Sequence, residues 1–299
     1  MNETNASHAL DIGLGLAGTH VLVTGGCGLI GRVVVQAFLA AGCNVTVYDL
    51  PNTNTRILDS ENQNPFFVSG DITKPGNIDY AFLSGEAHFS QTVECVIALA
   101  SLDLSVLPQT ESICDADPAV WQRVFDVNIR GTFLTCQRWL QGIRAAASNP
   151  ASRSKLRNVS CVLMGSESGR FGSRTMPAYA AGKAAIQYGL LRSLAADAPR
   201  IYHRARVNAV APGAVDTERF REESERFGEQ WRYAECEATV PRAQPVPAED
   251  VARTCLFLAS ERFAGSVHGC LVPVDKGKMG TLVYGREELG RMRMEGWED

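Results

Sequence analysis

Residues 24–31 read Thr24-Gly25-Gly26-Cys27-Gly28-Leu29-Ile30-Gly31, and their setting decides the fold. Val21 to Thr24 is a short apolar run that leads into them. Arg32 to Ala41 follows with helical composition and stops at Gly42, a residue suited to closing a helix. Val45 to Tyr48 is a second apolar run and ends at Asp49. Strand, glycine turn, helix and strand make a βαβ unit of about thirty residues. Glycines there permit tight backbone geometry and close approach of a pyrophosphate, and the helix N-terminus offers N–H groups to it. A turn that merely needs glycine would carry the same letters. The strand before it and the helix after it are the context that dinucleotide binding requires.

Asp49 sharpens this reading. A carboxylate at that strand end accepts both ribose hydroxyls of NAD and repels the 2′-phosphate of NADP. The alternative is an Asp that starts a turn before Pro51. Residues 50–55 read Leu-Pro-Asn-Thr-Asn-Thr, so no Arg follows at once, and Arg56 is some way off. NAD is the expected cofactor, with NADP the lesser alternative.

The alternation continues outward. Strands are expected at Phe66 to Ser69, Val93 to Ala100, Val159 to Met164, Arg206 to Val210 and Cys270 to Val274. Helices are expected at Ala119 to Ala147, Ala178 to Ala196 and Glu249 to Ala259, with a charged loop at 148–157. Strands alternating with helices imply an α/β fold: a single Rossmann-type, doubly wound parallel sheet with helices on both faces. No repeat or long linker divides the chain. The expected organisation is an N-terminal arm at 1–17, a dinucleotide-binding and catalytic domain at 18–277, and a charged tail at 278–299. That tail holds Trp297 and either caps a neighbour or stays unordered.

Tyr179 and Lys183 stand four apart in a helical stretch and share one face. An ammonium beside a phenol lowers the phenol pKa and makes it usable as acid or base near neutrality. An ordinary surface pair has the same spacing. Ser166, however, ends the preceding strand, where a ligand crevice opens, and its hydroxyl is placed to hold a substrate oxygen.

With these residues the chain resembles the short-chain dehydrogenase/reductase family, from about Leu16 to Gly277. Ser166, Tyr179 and Lys183 match the family's catalytic set, and Ser166-Glu167-Ser168-Gly169 with Phe171-Gly172 looks like the loop after its Ser. Asn128, in Val127-Asn128-Ile129-Arg130-Gly131-Thr132-Phe133, resembles its fourth catalytic member. The resemblance implies that Asp71 and Ile72 contact adenine, and that Pro212, Gly213, Val215 and Thr217 wrap the nicotinamide carboxamide. Gly25, Cys27, Gly28, Leu29, Ile30, Gly31, Asp49, Leu50, Leu99, Ala100 and Ser101, with Tyr179 and Lys183, complete the implied cofactor contacts. Val274-Asp275-Lys276-Gly277 resembles the closing strand.

The implied chemistry is hydride transfer to or from nicotinamide C4. Tyr179 exchanges the hydroxyl proton, Lys183 binds ribose, Ser166 polarises the substrate oxygen and Asn128 supports a proton relay. The resemblance also implies a homodimer or homotetramer packed through the helices around 119–147 and 178–196.

The chain departs from the family in places. Thr-Gly-x-x-Gly-x-x-Gly is the spacing of the extended branch, and Ala98-Leu99-Ala100-Ser101 replaces the classical Asn-Asn-Ala-Gly. Gly182 stands where a Ser is usual. Residues 217–247 carry Phe220, Phe227, Trp231 and Tyr233 among many charges. They read either as a mobile substrate lid or as an amphipathic surface helix that buries its aromatics. The lid reading gives an aromatic pocket for an apolar or cyclic alcohol or ketone, with Glu167, Ser168, Arg170 and Phe171 adding contacts near Ser166. Two other classes stay open: a same-fold non-redox enzyme, such as an epimerase or dehydratase, and a non-catalytic dinucleotide-binding protein.

The whole chain sets outer bounds. Its 299 residues carry 29 basic and 33 acidic side chains, a net charge of −4. No single-sign field favours nucleic acid or an anionic membrane surface; Arg153, Lys155 and Arg157 are the nearest to a basic patch. The nine cysteines are scattered, and the odd count fits reduced thiols in a cytoplasmic protein. Cys27, Cys95, Cys136, Cys161, Cys255 and Cys270 lie in apolar runs and read as small buried hydrophobes. The five histidines show no zinc spacing, so no metal is expected. The N-terminus lacks a basic and then apolar signal pattern, and no uncharged run reaches the roughly 18 residues of a membrane span. The sequons at Asn2 and Asn158 are then expected to be irrelevant.

Overall fold

Val21, Leu22 and Val23 are completely buried, and their alternation explains the layering of the molecule. Val21 and Val23 point to one face of the sheet and Leu22 to the other, and each face carries its own apolar core. The computed structural model describes residues 11–51, 65–103 and 106–294; the expectations for Asn2, Arg56 and Trp297 lie outside them.

The strands are β1 (His20–Thr24), β2 (Asn44–Asp49), β3 (Phe66–Ser69), β4 (Cys95–Ala98), β5 (Ser160–Met164), β6 (Arg206–Pro212), β7 (Val215–Asp216), β8 (Val246–Pro247) and β9 (Leu271–Val274). Seven of them form one parallel sheet in the order β3-β2-β1-β4-β5-β6-β9, while β7 and β8 pair separately. The order reverses between β1 and β4. At that point the connections leave for opposite faces and a crevice opens at the strand C-termini.

The helices of the first half are α1 (Gly31–Ala40), α2 (Pro75–Phe89), α3 (Pro118–Val124), α4 (Thr132–Ser148), α5 (Pro150–Arg153), α6 (Ser168–Phe171) and α7 (Pro177–Ala184). The second half adds α8 (Leu191–Ile201), α9 (Glu218–Phe227), α10 (Glu229–Arg232), α11 (Ala248–Ala259), α12 (Glu261–Ala264) and α13 (Arg286–Met294). One core joins Leu22, Val96, Cys161 and Val207 to Phe82 of α2, Trp139 of α4 and Leu191 of α8. The other joins Val21, Val23, Ile97 and Val162 to Val34 and Phe38 of α1 and Val251 and Cys255 of α11. The fold is thus the doubly wound α/β sheet that the alternation implies.

Several elements differ from expectation. The stretch 72–92, unassigned from sequence, is α2, which starts on Pro75, where the missing N–H costs nothing. Its Gly85 lies against β2, since a Cβ there would fall 2.5 Å from Thr46 Oγ1. Strand β4 ends at Ala98 because Leu99 and Ala100 turn away, both donating their N–H to Thr24 Oγ1 at 3.1 Å. Cys27 is half-buried and Cys270 exposed; Cys95, Cys136, Cys161 and Cys255 are buried as read, and Cys43 and Cys236 join them.

The first and last described segments dock on the domain. Leu16 is buried, the Leu14 carbonyl accepts from Ser260, and the Gly15 carbonyl accepts from Asn158, so residues 14–16 are fixed rather than loose. The tail folds back onto 217–247. Val283 donates to Ala238 O at 2.7 Å, Tyr284 O accepts from the Tyr233 hydroxyl at 2.8 Å, and Arg293 meets the buried Glu237. Among the described residues no helix is long and apolar enough to cross a membrane.

Candidate active site

The C-terminal ends of β1, β4, β5 and β6 bring the singled-out residues together. Gly25 is left-handed at φ 70°, and a Cβ on it would lie 2.7 Å from Ala100 Cα. Gly31 is tighter still, its would-be Cβ falling 2.1 Å from Gly25 O. These contacts explain two of the glycines and seat Leu99-Ala100-Ser101 against the turn. No side chain caps the N-terminus of α1 among the described residues, so its amide end faces the crevice. Asp49 is braced to the same turn: Oδ2 accepts from Cys27 N and Oδ1 from Leu50 N, both at 2.8 Å.

On the next strand edge, Asp71 Oδ1 accepts from Thr73 N, and Ile72 is buried beneath Gly131, whose Cβ would meet it at 2.6 Å. At the far side, Gly213 N donates to Val274 O and Pro212 O accepts from Glu167 N. Val215 opens the small β7–β8 pair, and Thr217 caps α9 by accepting from Phe220 N at 3.2 Å.

Ser166 follows β5 and is buried. Its Oγ accepts from Ser168 N at 3.1 Å and also hydrogen-bonds the Tyr179 phenol. Lys183, one turn along α7, donates from Nζ to Met164 O at 2.9 Å and lies 5.5 Å from the Tyr179 ring centre. Asn128 sits in a π-helical segment, Phe125–Gly131, between α3 and α4. Its amide grips the Leu102 backbone both ways, accepting from N at 2.7 Å and donating to O at 2.9 Å. A second π segment, Ala185–Leu190, carries Gln187, whose Oε1 accepts from Ser166 N at 3.0 Å. Gly165 and Gly169 give Gln187 room, since a Cβ on either would lie within 3 Å of its side chain. Such wide turns, frequent at functional sites, re-aim side chains in ways no spacing rule shows.

The electrostatics correct one expectation. Burial pushes the Tyr179 phenol above its ordinary range, because desolvation outweighs its neighbours. What lowers it is the Ser166 hydroxyl and the Arg219 guanidinium, while Asp103 and Glu167 raise it. Lys183 is itself pushed down to about 8 by burial, against the favourable charge of Asp103. The protein alone therefore holds a neutral phenol beside a weakened ammonium. Glu167 is raised to about 7, chiefly by burial, with Lys278 pulling the other way.

Four residues escaped the sequence reading: Gln187, Asp103, Arg219 and Lys278. Gln187 follows Lys183 at the same four-residue step that separates Lys183 from Tyr179, and that spacing was the one available signal. The aromatic residues of 217–247 pack on one another. Phe220 and Trp231 lie 5.4 Å apart and Trp231 and Phe227 5.9 Å apart, while the Tyr233 hydroxyl is held by Tyr284. The residue that this segment sends toward Tyr179 is Arg219. A Cβ at Gly182 would meet only ordinary contacts, and nothing in the structure explains the glycine there.

A family model described as enoyl-(acyl carrier protein) reductase matches residues 28–278. The chain is 31% identical to 2-(S)-hydroxypropyl-CoM dehydrogenase 3 of Xanthobacter autotrophicus, over 86% of this chain and 95% of that protein. It is 31% identical to the 3-oxoacyl-[acyl-carrier-protein] reductase MabA of Mycobacterium tuberculosis, over 86% and 91%. It is likewise 31% identical to galactitol 2-dehydrogenase of Rhizobium johnstonii, over 88% and 95%.

Proposed function

Because the chain belongs to the short-chain dehydrogenase/reductase family, we propose that it is a NAD-dependent oxidoreductase interconverting a secondary alcohol and a ketone on a small molecule. The observation that carries the reading is the buried group of Ser166, Tyr179 and Lys183 beside the uncapped, glycine-lined N-terminus of α1.

The residues present fit a dinucleotide. The cradle at Gly25 and Gly31 has no room for side chains, and the fixed Asp49 carboxylate suits a ribose diol and opposes a 2′-phosphate. Cys27, Gly28, Leu29, Ile30, Leu50 and Leu99-Ala100-Ser101 would line the pyrophosphate and adenosine side, with Asp71 and Ile72 at the adenine. Pro212, Gly213, Val215 and Thr217 would border the nicotinamide. When bound, NAD supplies a hydride acceptor.

The chain's own residues manage the proton. Ser166 holds the substrate oxygen, and Tyr179 as phenolate takes the hydroxyl proton while the carbinol carbon gives up hydride, leaving a ketone. Lys183 stands under the phenol and would bind ribose. Asn128 fixes the Leu102 backbone and with it the rim of the cleft. A homo-oligomer is proposed through α3, α4, α7 and α8, where Trp121 and Phe133 are exposed beside the similarly exposed Tyr188 of the second π segment.

The test is absorbance-monitored oxidation of alcohols with NAD and NADP in parallel. Tyr179→Phe is expected to lose about 10³-fold in turnover while NAD still binds and the melting temperature holds. An active Tyr179→Phe enzyme, or strong NADP preference, overturns the respective assignment.

A further inference from the structure

We infer that the cleft before Tyr179 takes a neutral, polyhydroxylated substrate, whose hydroxyls on either side of the reacting carbinol are held by two ion pairs, Asp103–Arg219 and Glu167–Lys278. The inference rests on the hydride-transfer reading above and narrows its substrate.

The two pairs come from four separate places in the fold. Asp103 lies on the loop after β4, which Asn128 grips through Leu102. Arg219 belongs to the first turn of α9; its Nη1 lies 4.0 Å from Asp103 Oδ1, and its Nη2 meets Glu223 at 2.5 Å. Across the cleft, Glu167 directly follows Ser166. Its Oε1 accepts from Lys278 Nζ at 2.7 Å, and Lys278 reaches Glu235 O at 3.3 Å. Glu167 directly follows Ser166 and Asp103 directly follows the Leu102 backbone that Asn128 grips, so each pair has one member beside the catalytic residues, and Asp103, Glu167 and Arg219 all bear on the Tyr179 phenol.

The second carboxylate oxygen of Glu167 is decisive. Oε2 is buried and has no hydrogen-bond partner among the described residues. It lies beside the Pro212-Gly213 turn, 3.0 Å from where a Cβ on Gly213 would stand. A buried acceptor without a donor keeps its full desolvation penalty, larger when it is charged. A substrate hydroxyl removes that cost, and an apolar alcohol leaves it in place while stripping water from the other charges. Arg219 is already shared by Asp103 and Glu223 and Lys278 is taken by Glu167, so neither cation is left over for an anionic substrate. Oxidation of such a diol yields a hydroxyketone, with hydride passing to NAD and the hydroxyl proton to Tyr179.

The experiment compares NADH formation from matched alcohols: cyclohexanol with cyclohexane-1,2-diol, pentan-3-ol with xylitol, and 2-hydroxycyclohexanecarboxylate as the anionic counterpart. The hydroxylated member of each pair is expected to exceed the plain alcohol by about 10²-fold or more in kcat/KM. That ratio is expected to collapse in Glu167→Gln, and also in Lys278→Met, which keeps the carboxyl but removes its partner. Equal or reversed preference, or preference for the hydroxy acid, overturns the inference and leaves hydride transfer standing. Absence of NADH and NADPH from every alcohol overturns the hydride-transfer reading, and the inference with it.

Discussion

The two ends of the parallel sheet both bury polar side chains, and they finish them differently. At the strand N-termini, Glu94 accepts from Arg157 N, His20 N and Gln91 Nε2. Asn158 donates to Gly15 O and Thr19 Oγ1 and accepts from Glu261 N. Arg206 donates to the Leu258, Ala259 and Ala264 carbonyls and so stops the C-terminal end of α11 with a cation; its Nε has no partner among the described residues. At the C-termini, Glu167 Oε2 and Gln187 Nε2 are buried without partners among the described residues, and the α1 amide end is uncapped. One end spends its polar groups on the chain itself; the other keeps hydrogen-bonding capacity in reserve. Buried polar groups that are satisfied serve stability, and those left over mark where a ligand completes the set.

The largest effect that would break this contrast is at Glu94. Burial raises its carboxyl from 4.5 to about 7 despite three donors. The folded state therefore binds the proton more tightly than the unfolded chain. The group's stabilisation is fully present below about pH 4.5 and is lost as pH rises toward 7, a cost of about 3 kcal/mol. Glu94→Gln removes this titration. Across pH 4.5 to 7 the variant is expected to lose less melting temperature than the parent, and the slope that remains combines Glu167, raised to the same value, with His20, which burial lowers to about 4 and whose contribution grows as pH rises. Unchanged slopes would place Glu94 in contact with solvent and dissolve the contrast.

Asn158→Ala is next. Asn158 sits at φ 47°, in the left-handed region that Asn tolerates better than Ala. Its loss leaves Thr19, Gly15 and Glu261 partly unpaired. A loss of about 2 kcal/mol is expected in denaturant unfolding, with kcat per folded molecule unchanged. A fall in kcat at full folding would show that the N-terminal end also serves the reaction.

The same contrast explains what the sequence could reveal. The glycine turn, the strands and the pair Tyr179 and Lys183 follow local rules of spacing and hydrophobic period, and these survive folding unchanged. Helix α2 was hidden because Gly76 and Gly85 weaken its helical signature, although Pro75 marks its start. Asn128 was reached through the family resemblance and Gln187 was passed over although it keeps the four-residue step from Lys183; both act from π segments. Asp103, Arg219 and Lys278 meet the phenol and Glu167 only through chain reversals far apart in sequence. The aromatic residues of 218–233 carried the apolar reading, and composition alone did not show that Arg219 of the same segment bears on the phenol.

The smallest effect tests the site electrostatics, where opposite charges make opposite predictions. Oxidation needs the Tyr179 phenolate, and burial holds the phenol above its ordinary range, so activity is expected to rise with pH. Arg219 favours the phenolate and Asp103 opposes it. Arg219→Gln should move the ascending limb of kcat against pH upward, and Asp103→Asn should move it downward, each by about half a unit or less across this partly solvated cleft. Ser166 and Glu167 also face the phenol and remain in both variants. Lys183, lowered to about 8, remains as well and loses its own charge over the upper part of the range. Shifts of the same sign in the two variants would mean that general loosening of the cleft rim governs the profile. Shifts of opposite sign require charges acting on one titrating group, and a residue with a merely structural role would not produce them.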